Sequence, residues 1–202
     1  EGTIYVNTSA DTVGIGTTTP GSKLDVQGTM QVGVNDTGHD VKFFGATAGA
    51  YLEWDESADE LELRGGAATP GKLLLSTAET TVVDGNKLGQ IDFQAPLDSA
   101  GTDAILVGAS IYAEADATFS SSVNATELVF ATGASETATE RMRIDSDGNV
   151  GIGTSSLITT AGRASLTIST AAEKAELHLQ NRTATTSSEA GILTFYNASD
   201  RI

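Results

Sequence analysis

The sequence predicts an all-β protein, elongated and built from many short strands. Three observations predict it. Apolar and polar residues alternate with period two along most of the 202 residues. Clusters of Gly, Asp, Asn, Ser and Pro separate the alternating runs. Bulky apolar residues are scarce: Leu, Ile, Val and Phe total 45 of 202, against 95 for Gly, Ala, Ser and Thr. Such a chain cannot assemble a wide core of its own. It is either disordered, or thin and buried against copies of itself, and the recurrent alternation favours the second state.

The elements follow in order. Ile4 and Val6 alternate, and Val13 and Ile15 lie in the run VGIGT (13–17). Leu24, Val26, Gly28, Met30, Val32 and Val34 alternate over eleven residues, followed by Val41 and Phe43. In YLEWDESADELEL (51–63), Leu52/Trp54 and Leu61/Leu63 flank a polar loop, the pattern of a hairpin. Leu73/Leu75, Ile91/Phe93/Ala95/Leu97 and Ile105/Val107/Ala109/Ile111 come next. Leu128/Phe130, Met142/Ile144, Val150/Ile152, Leu166/Ile168, Leu177/Leu179 and Leu193/Phe195 complete the series. Turns are predicted at NDTG (35–38), RGGAATPG (64–71), VDGN (83–86), DSAG (98–101), ATGAS (131–135) and DSDGN (145–149). The segment 169–181 competes as a helix, with Thr170 and Glu173 in capping-box positions. Alternation of Leu177 and Leu179 favours a strand there.

Two internal echoes organise the chain. Val13-Gly14-Ile15-Gly16-Thr17 recurs as Val150-Gly151-Ile152-Gly153-Thr154, 137 residues later. Each copy leads into a Ser/Thr-rich loop and then an alternating segment. A looser echo relates 72–93 to 176–195. The expected segments are 1–34 (first VGIGT segment), 35–72 (hairpin module), 73–147 (β-rich module) and 148–202 (second VGIGT segment and the start of a repeated module). Repeated units with polar connections suit an object in which each layer buries its neighbour. Gly on either side of Ile allows unusual dihedrals or close backbone approach. The expectation is a tight crossing of copies on a threefold axis, with Ile15 and Ile152 meeting their symmetry mates. A phosphate cradle is disfavoured, because Thr19 and Ser156 stand where G-x-G-x-x-G needs its third glycine, and no P-loop lysine follows.

The formal net charge of −16 argues against nucleic acid and anionic membrane surfaces as partners. No cysteine is present, so disulfides and thiolate metal sites are excluded. The longest apolar run, AILVGASIYA (104–113), is too short for a bilayer. No signal peptide is visible. The chain opens on Glu1 and closes mid-pattern on Asp200-Arg201-Ile202, so it is expected to be an ordered piece of a longer polypeptide.

The segments VGIGTTTPGSKLDVQG (13–28), ERMRIDSDGNVGIGTSS (140–156) and HDVKFFGATAGAYLEWDESADELEL (39–63) resemble blocks of bacteriophage tail-fibre and receptor-binding proteins, of the kind found in marine and cyanobacterial phages. The resemblance covers roughly half of the chain. It implies an intertwined, homotrimeric virion fibre that attaches to a host surface glycan or protein and joins other tail or baseplate proteins. It also implies, downstream, an intramolecular chaperone domain. One departure stands out: Leu157 occupies the place that Pro20 holds in the first copy, so the second loop is expected to take a different path.

Several groups have the composition of sites. Asp55, Glu56, Asp59 and Glu60 could form a glycosidase carboxylate pair, but a solvated hairpin loop explains them. Asp145-Ser146-Asp147-Gly148-Asn149 resembles a calcium loop but has Val150 and Ser156 where an EF-hand needs Gly and Glu. His39 and His178 lack ligand partners at useful spacing. Tyr51, Trp54, Phe43 and Phe44 could stack on sugars, though core packing in the hairpin region explains them as well. The sequons at Asn7, Asn35, Asn124, Asn181 and Asn197 arise readily in a chain this rich in Ser and Thr. No catalytic, metal or cofactor-binding residue is assigned and no cofactor is expected; the receptor-binding residues are not identifiable. The expected function is therefore structural and non-enzymatic, as the shaft or adhesive part of a tail fibre. The alternatives are a tailspike-like polysaccharide depolymerase and another capsid fibre or surface adhesin.

Overall fold

The structure is a computed structural model, and it describes residues 4–158 and 164–170. Its described residues contain twelve strands and no helix, so the fold is all-β. The chain divides into two compact units, Glu1–Leu74 and Leu75–Ile202.

The first unit holds two three-stranded sheets. One comprises β1 (Ile4–Asn7), β2 (Thr12–Ile15) and β3 (Leu24–Val26) in that order. Strands β1 and β2 form an antiparallel hairpin whose turn is held by Asn7, its Oδ1 accepting from the Ser9 and Ala10 amides at 3.0 and 3.1 Å. Strand β3 lies parallel to β2. Parallel neighbours usually need a connection of about a dozen residues or more. Here Gly16–Lys23 suffices, because Gly16 adopts φ 77° and turns the chain back as soon as β2 ends. The other sheet is the meander β4 (Val41–Phe44), β5 (Tyr51–Asp55) and β6 (Glu60–Arg64). The predicted hairpin is thus present, with a third strand added by Val41–Phe44.

The second unit is one six-stranded sheet, in the order β12 (Leu166–Ile168), β11 (Val150–Ile152), β10 (Thr139–Ile144), β9 (Thr126–Thr132), β8 (Val107–Ala115), β7 (Lys87–Gln94). All its pairings are antiparallel except β11 with β12. The DSDGN turn joins β10 to β11 as predicted, so this sheet runs through position 148.

Four predicted strands are shorter or missing, for one physical reason. Alternation makes a residue able to pair; a ladder also needs a partner. After Val26 the alternating run 28–34 has none, because the last ladder bond runs from the Gln27 amide to the Ile15 carbonyl at 2.9 Å. Val34 makes only an isolated bridge to Thr37, closing the NDTG turn. Leu73–Leu75 is irregular and exposed. Strand β7 ends at Gln94 beside a register shift, which leaves Ala95 and Leu97 outside it, and β8 starts only at Val107, after Ile105. The segment 171–181, with Leu193 and Phe195 and the echo 176–195, lies outside the described residues.

Among the described residues the buried apolar side chains are Ala115, Val129 and Ala131. At about 25 cal/mol per Å² of apolar surface, so small a core contributes little to stability.

Candidate functional site

Cross-strand partners share a face of a sheet, so the register sorts the side chains. In the first sheet the pairing places Ile4, Ile15 and Val26 in one row and Val6, Val13 and Leu24 in the next, all on one face. In the meander, Val41, Trp54 and Leu61 form one row and Phe43, Leu52 and Leu63 another. In the six-stranded sheet the row Met142, Ile152, Ile168 continues across Phe130, Ile111 and Ile91. These faces are apolar and partly open: Ile4 is 71% exposed, Phe43 58% and Ile91 44%, whereas Ile111, Phe130, Met142 and Ile168 are half-buried. The opposite faces carry the charged groups, and in the six-stranded sheet that face also holds the buried Val129 and Ala131.

The two VGIGT segments form the same module. In each, a hairpin strand, the VGI strand and a parallel strand lie side by side. The amide of Val13 donates to the Lys23 carbonyl, and that of Val150 to the Ser165 carbonyl, both at 2.8 Å. At the other end Gln27 donates to Ile15 at 2.9 Å and Ser169 to Ile152 at 3.0 Å. Thr17 and Thr154 turn the loop identically, each Oγ1 accepting from the amide two residues on, at 3.2 and 3.0 Å. A Cβ on Gly14 would overlap the Thr17 carbonyl oxygen, and one on Gly151 would come within 2.6 Å of that of Thr154. Gly16 and Gly153, at φ 77° and 72°, are crowded by the carbonyls of Gln27 and Ser169. These contacts correct the expectation that the glycines mark a crossing between copies: they are required inside one chain. Each loop folds back over the glycine on the polar face and leaves Ile15 and Ile152 open, 43% and 40% exposed.

Leu157 has a local role in the second loop. It packs across Gly151, and the connection to β12 lengthens to Gly153–Ser165. Asn149, only 2% exposed, ties this loop to the preceding turn. Its Oδ1 accepts from the Ser165 amide and hydroxyl at 2.9 and 3.0 Å, and its Nδ2 donates to Asp145 Oδ2 at 2.9 Å.

The polar faces carry two charged clusters. On the meander, Lys42 pairs with the buried Glu53 at 2.7 Å and sits 4.3 Å from the centre of the Tyr51 ring. Tyr51 donates to Glu62 at 2.6 Å and accepts from Arg64 at 3.1 Å. The hydrogen bond to Glu53 holds Lys42 above its ordinary pKa despite some desolvation. On the six-stranded sheet, Arg143 meets Glu127, Glu140 and, at 3.9 Å, Glu114. A bulge between Glu140 and Met142 creates this cluster. Residues three apart on a regular strand point to opposite faces; the extra residue puts Glu140 and Arg143 on the same one, and Nε donates to Oε1 at 2.6 Å. Glu127 stands directly opposite Glu114 in the ladder. Desolvation and the hydrogen bond with Glu114 raise it to about 7 against the pull of Arg143. The sequence reading missed this cluster, because a bulge leaves no composition signal.

The remaining candidates resolve as follows. Asp55 caps its own turn, accepting from Ser57 Oγ at 2.8 Å and from the amides of Ser57 and Ala58. Those bonds hold it below the usual carboxylate range, with the Ser57 hydroxyl contributing most. Asp59, at φ 53°, completes the turn, and Glu56 is exposed. Asp145 is also a turn cap: desolvation pushes its carboxyl up, but bonds from Asn149, Asp147 and Gly148 outweigh it and lower the pKa. His39 is exposed, and His178 lies outside the described residues. No group of three or more His, Cys, Asp or Glu is placed to hold a metal among the described residues. The aromatic block is split, with Phe43 and Trp54 on the apolar face of the meander and Phe44 and Tyr51 on the polar one. Asn35 and Asn124 are exposed, whereas Asn181 and Asn197 are outside the described residues. No described helix is long and apolar enough to cross a membrane.

These features define a class: all-β, with short-stranded sheets that each carry an apolar face. No family model and no curated protein matches the sequence. Among solved structures, the carboxy-terminal domain of the bacteriophage T5 L-shaped tail fibre with its intra-molecular chaperone domain is similar at 12% identity and a TM-score of 0.46. The match covers 71% of this chain and 44% of that one, so the chain spans less than half of its neighbour's length.

Proposed function

We propose that this chain is a structural segment of a homotrimeric phage tail fibre, acting in host attachment and without enzymatic activity. One observation carries the reading: every sheet presents an apolar face on which large side chains stand exposed among the described residues, Ile4, Phe43 and Ile91 among them. Exposed apolar surface on that scale marks an interaction site. Copies of the same chain provide the missing layer, and the resemblance of the VGIGT and hairpin segments to tail-fibre blocks gives that assembly its setting. In a threefold assembly, intertwined sheets protect strand edges and stiffen the shaft without disulfides. Three equivalent surfaces then bind a host glycan or protein with avidity.

The test is the native mass by light scattering with chromatography. A value near three times 20.7 kDa is expected; a folded monomer overturns the reading. Incubation of the assembled protein with host surface polysaccharide should release no reducing sugar, whereas release would favour a depolymerase.

A further inference from the structure

The internal repeat contains more identity than the fold of one chain requires. Gly14, Gly16 and Thr17 recur as Gly151, Gly153 and Thr154 because the backbone demands them. Val13 and Ile15 recur as Val150 and Ile152 without such a demand, since they lie on the open face. Ile15 and Ile152 each sit on a central strand with partners on both sides, a position normally buried. Here they are 43% and 40% exposed.

The module faces also carry no charge. Ile4, Val6, Val13, Ile15, Leu24 and Val26 make up the first, and residues of the same type make up the second. Two copies of a chain with net charge −16 repel each other except where such uncharged faces meet. At ~80 Å² each, the exposed side chains of the two module faces (Ile4, Val6, Ile15, Leu24, Ile152 and Leu166) offer on the order of 500 Å² per copy. A standard interface takes about 800 Å² per partner, so the module faces supply more than half of one.

We propose that the apolar face of each VGIGT module docks against the same face in other copies of this chain, so that Ile15 and Ile152 lie at two separate inter-copy seams. This rests on the self-assembling reading above and adds the location and the like-to-like pairing of the contact.

The absence of cysteine makes the test direct. In the 202-residue chain, Ile15→Cys and Ile152→Cys are made singly, with Thr12→Cys as a control on the opposite face of β2. Under mild oxidation each Ile variant is expected to form a covalent pair by itself, and Thr12→Cys to stay unlinked. Four outcomes overturn the inference. Cross-linking only when the two Ile variants are mixed means that unlike modules meet. Equal cross-linking of Thr12→Cys removes the assignment of the face. No cross-linking in a protein of threefold mass leaves the fibre reading standing and the seams elsewhere. A protein of monomer mass removes both. Ile15→Leu, which keeps the face apolar, should retain the native mass.

Discussion

Glu127 and Glu114 stand side by side in a ladder with Arg143 as the cation between them and Glu140. Like charges directly opposite in a sheet destabilise it, and the Arg143 guanidinium is shared among three carboxylates. Desolvation first, then the hydrogen bond with Glu114, makes Glu127 hold its proton to about pH 7, against about 4.3 in an unfolded chain. A folded pKa raised in this way contributes stability that is fully present below the unfolded value and is lost as pH rises through the folded one. The melting temperature of the chain should thus fall between about pH 4.5 and pH 7. In Glu127→Gln, which keeps the shape and removes the titration, this fall should flatten. An unchanged slope in that variant would remove Glu127 as its source. The depressed carboxyls of Asp55, Asp92 and Asp145 act in the opposite direction and withdraw stability only in more acidic solution. At the same scale, Gly16→Ala should cost roughly 1–3 kcal/mol, because its positive φ and the Gln27 carbonyl leave no place for a methyl. Gly28→Ala, with nothing near it, should stay within about 0.5 kcal/mol in a urea titration. The importance of Gly16 could be read from the repeat, but the reason could not. Glycine pairs look alike in sequence whether a backbone of the same chain or of another one crowds them.

At the scale of the element, strands could be read where the sequence contained both partners and a turn of defined type. The hairpin 51–63 and the turn 145–149 appear in the structure because Asp55 and Asp145 fold their carboxylates back onto the following amides. The run 24–34 alternates as well as any other, yet only Leu24–Val26 becomes a strand, because β2 ends at Ile15. Pairing is a non-local property, and alternation reports only fitness for it. The bulge before Met142 was equally invisible, and with it the Arg143 cluster. Asn149 joins elements that the sequence keeps apart. It is buried and bonded to the turn before β11 and to Ser165 before β12. Asn149→Ala should therefore cost about 1–3 kcal/mol, the range for leaving buried polar partners unsatisfied. It should also loosen β12 first, as faster amide exchange at Thr167 and Ser169 than across β8 and β9. Equal exchange in the variant and the parent would mean that the two parallel-strand bonds hold β12 without it.

At the scale of the molecule, the distribution of charge opposes association and the distribution of apolar surface favours it. Each copy carries −16, while the faces proposed to meet carry no charged side chain. The two effects respond differently to salt. Screening shortens the range of repulsion from about 30 Å at 0.01 M to about 8 Å at 0.15 M ionic strength. Burial of apolar surface survives that change and is strengthened by excluded salts such as sulfate. Assembly should therefore tighten as sodium chloride rises from 10 to 150 mM, and tighten further in sulfate; sedimentation at graded protein concentration would measure it. If the copies were instead held by ion pairs between polar faces, through groups such as Lys42, Glu53 and Arg143, the same titration would weaken them. The sign of the salt dependence thus tells which face of each sheet is turned inward, whatever the number of copies in the assembly.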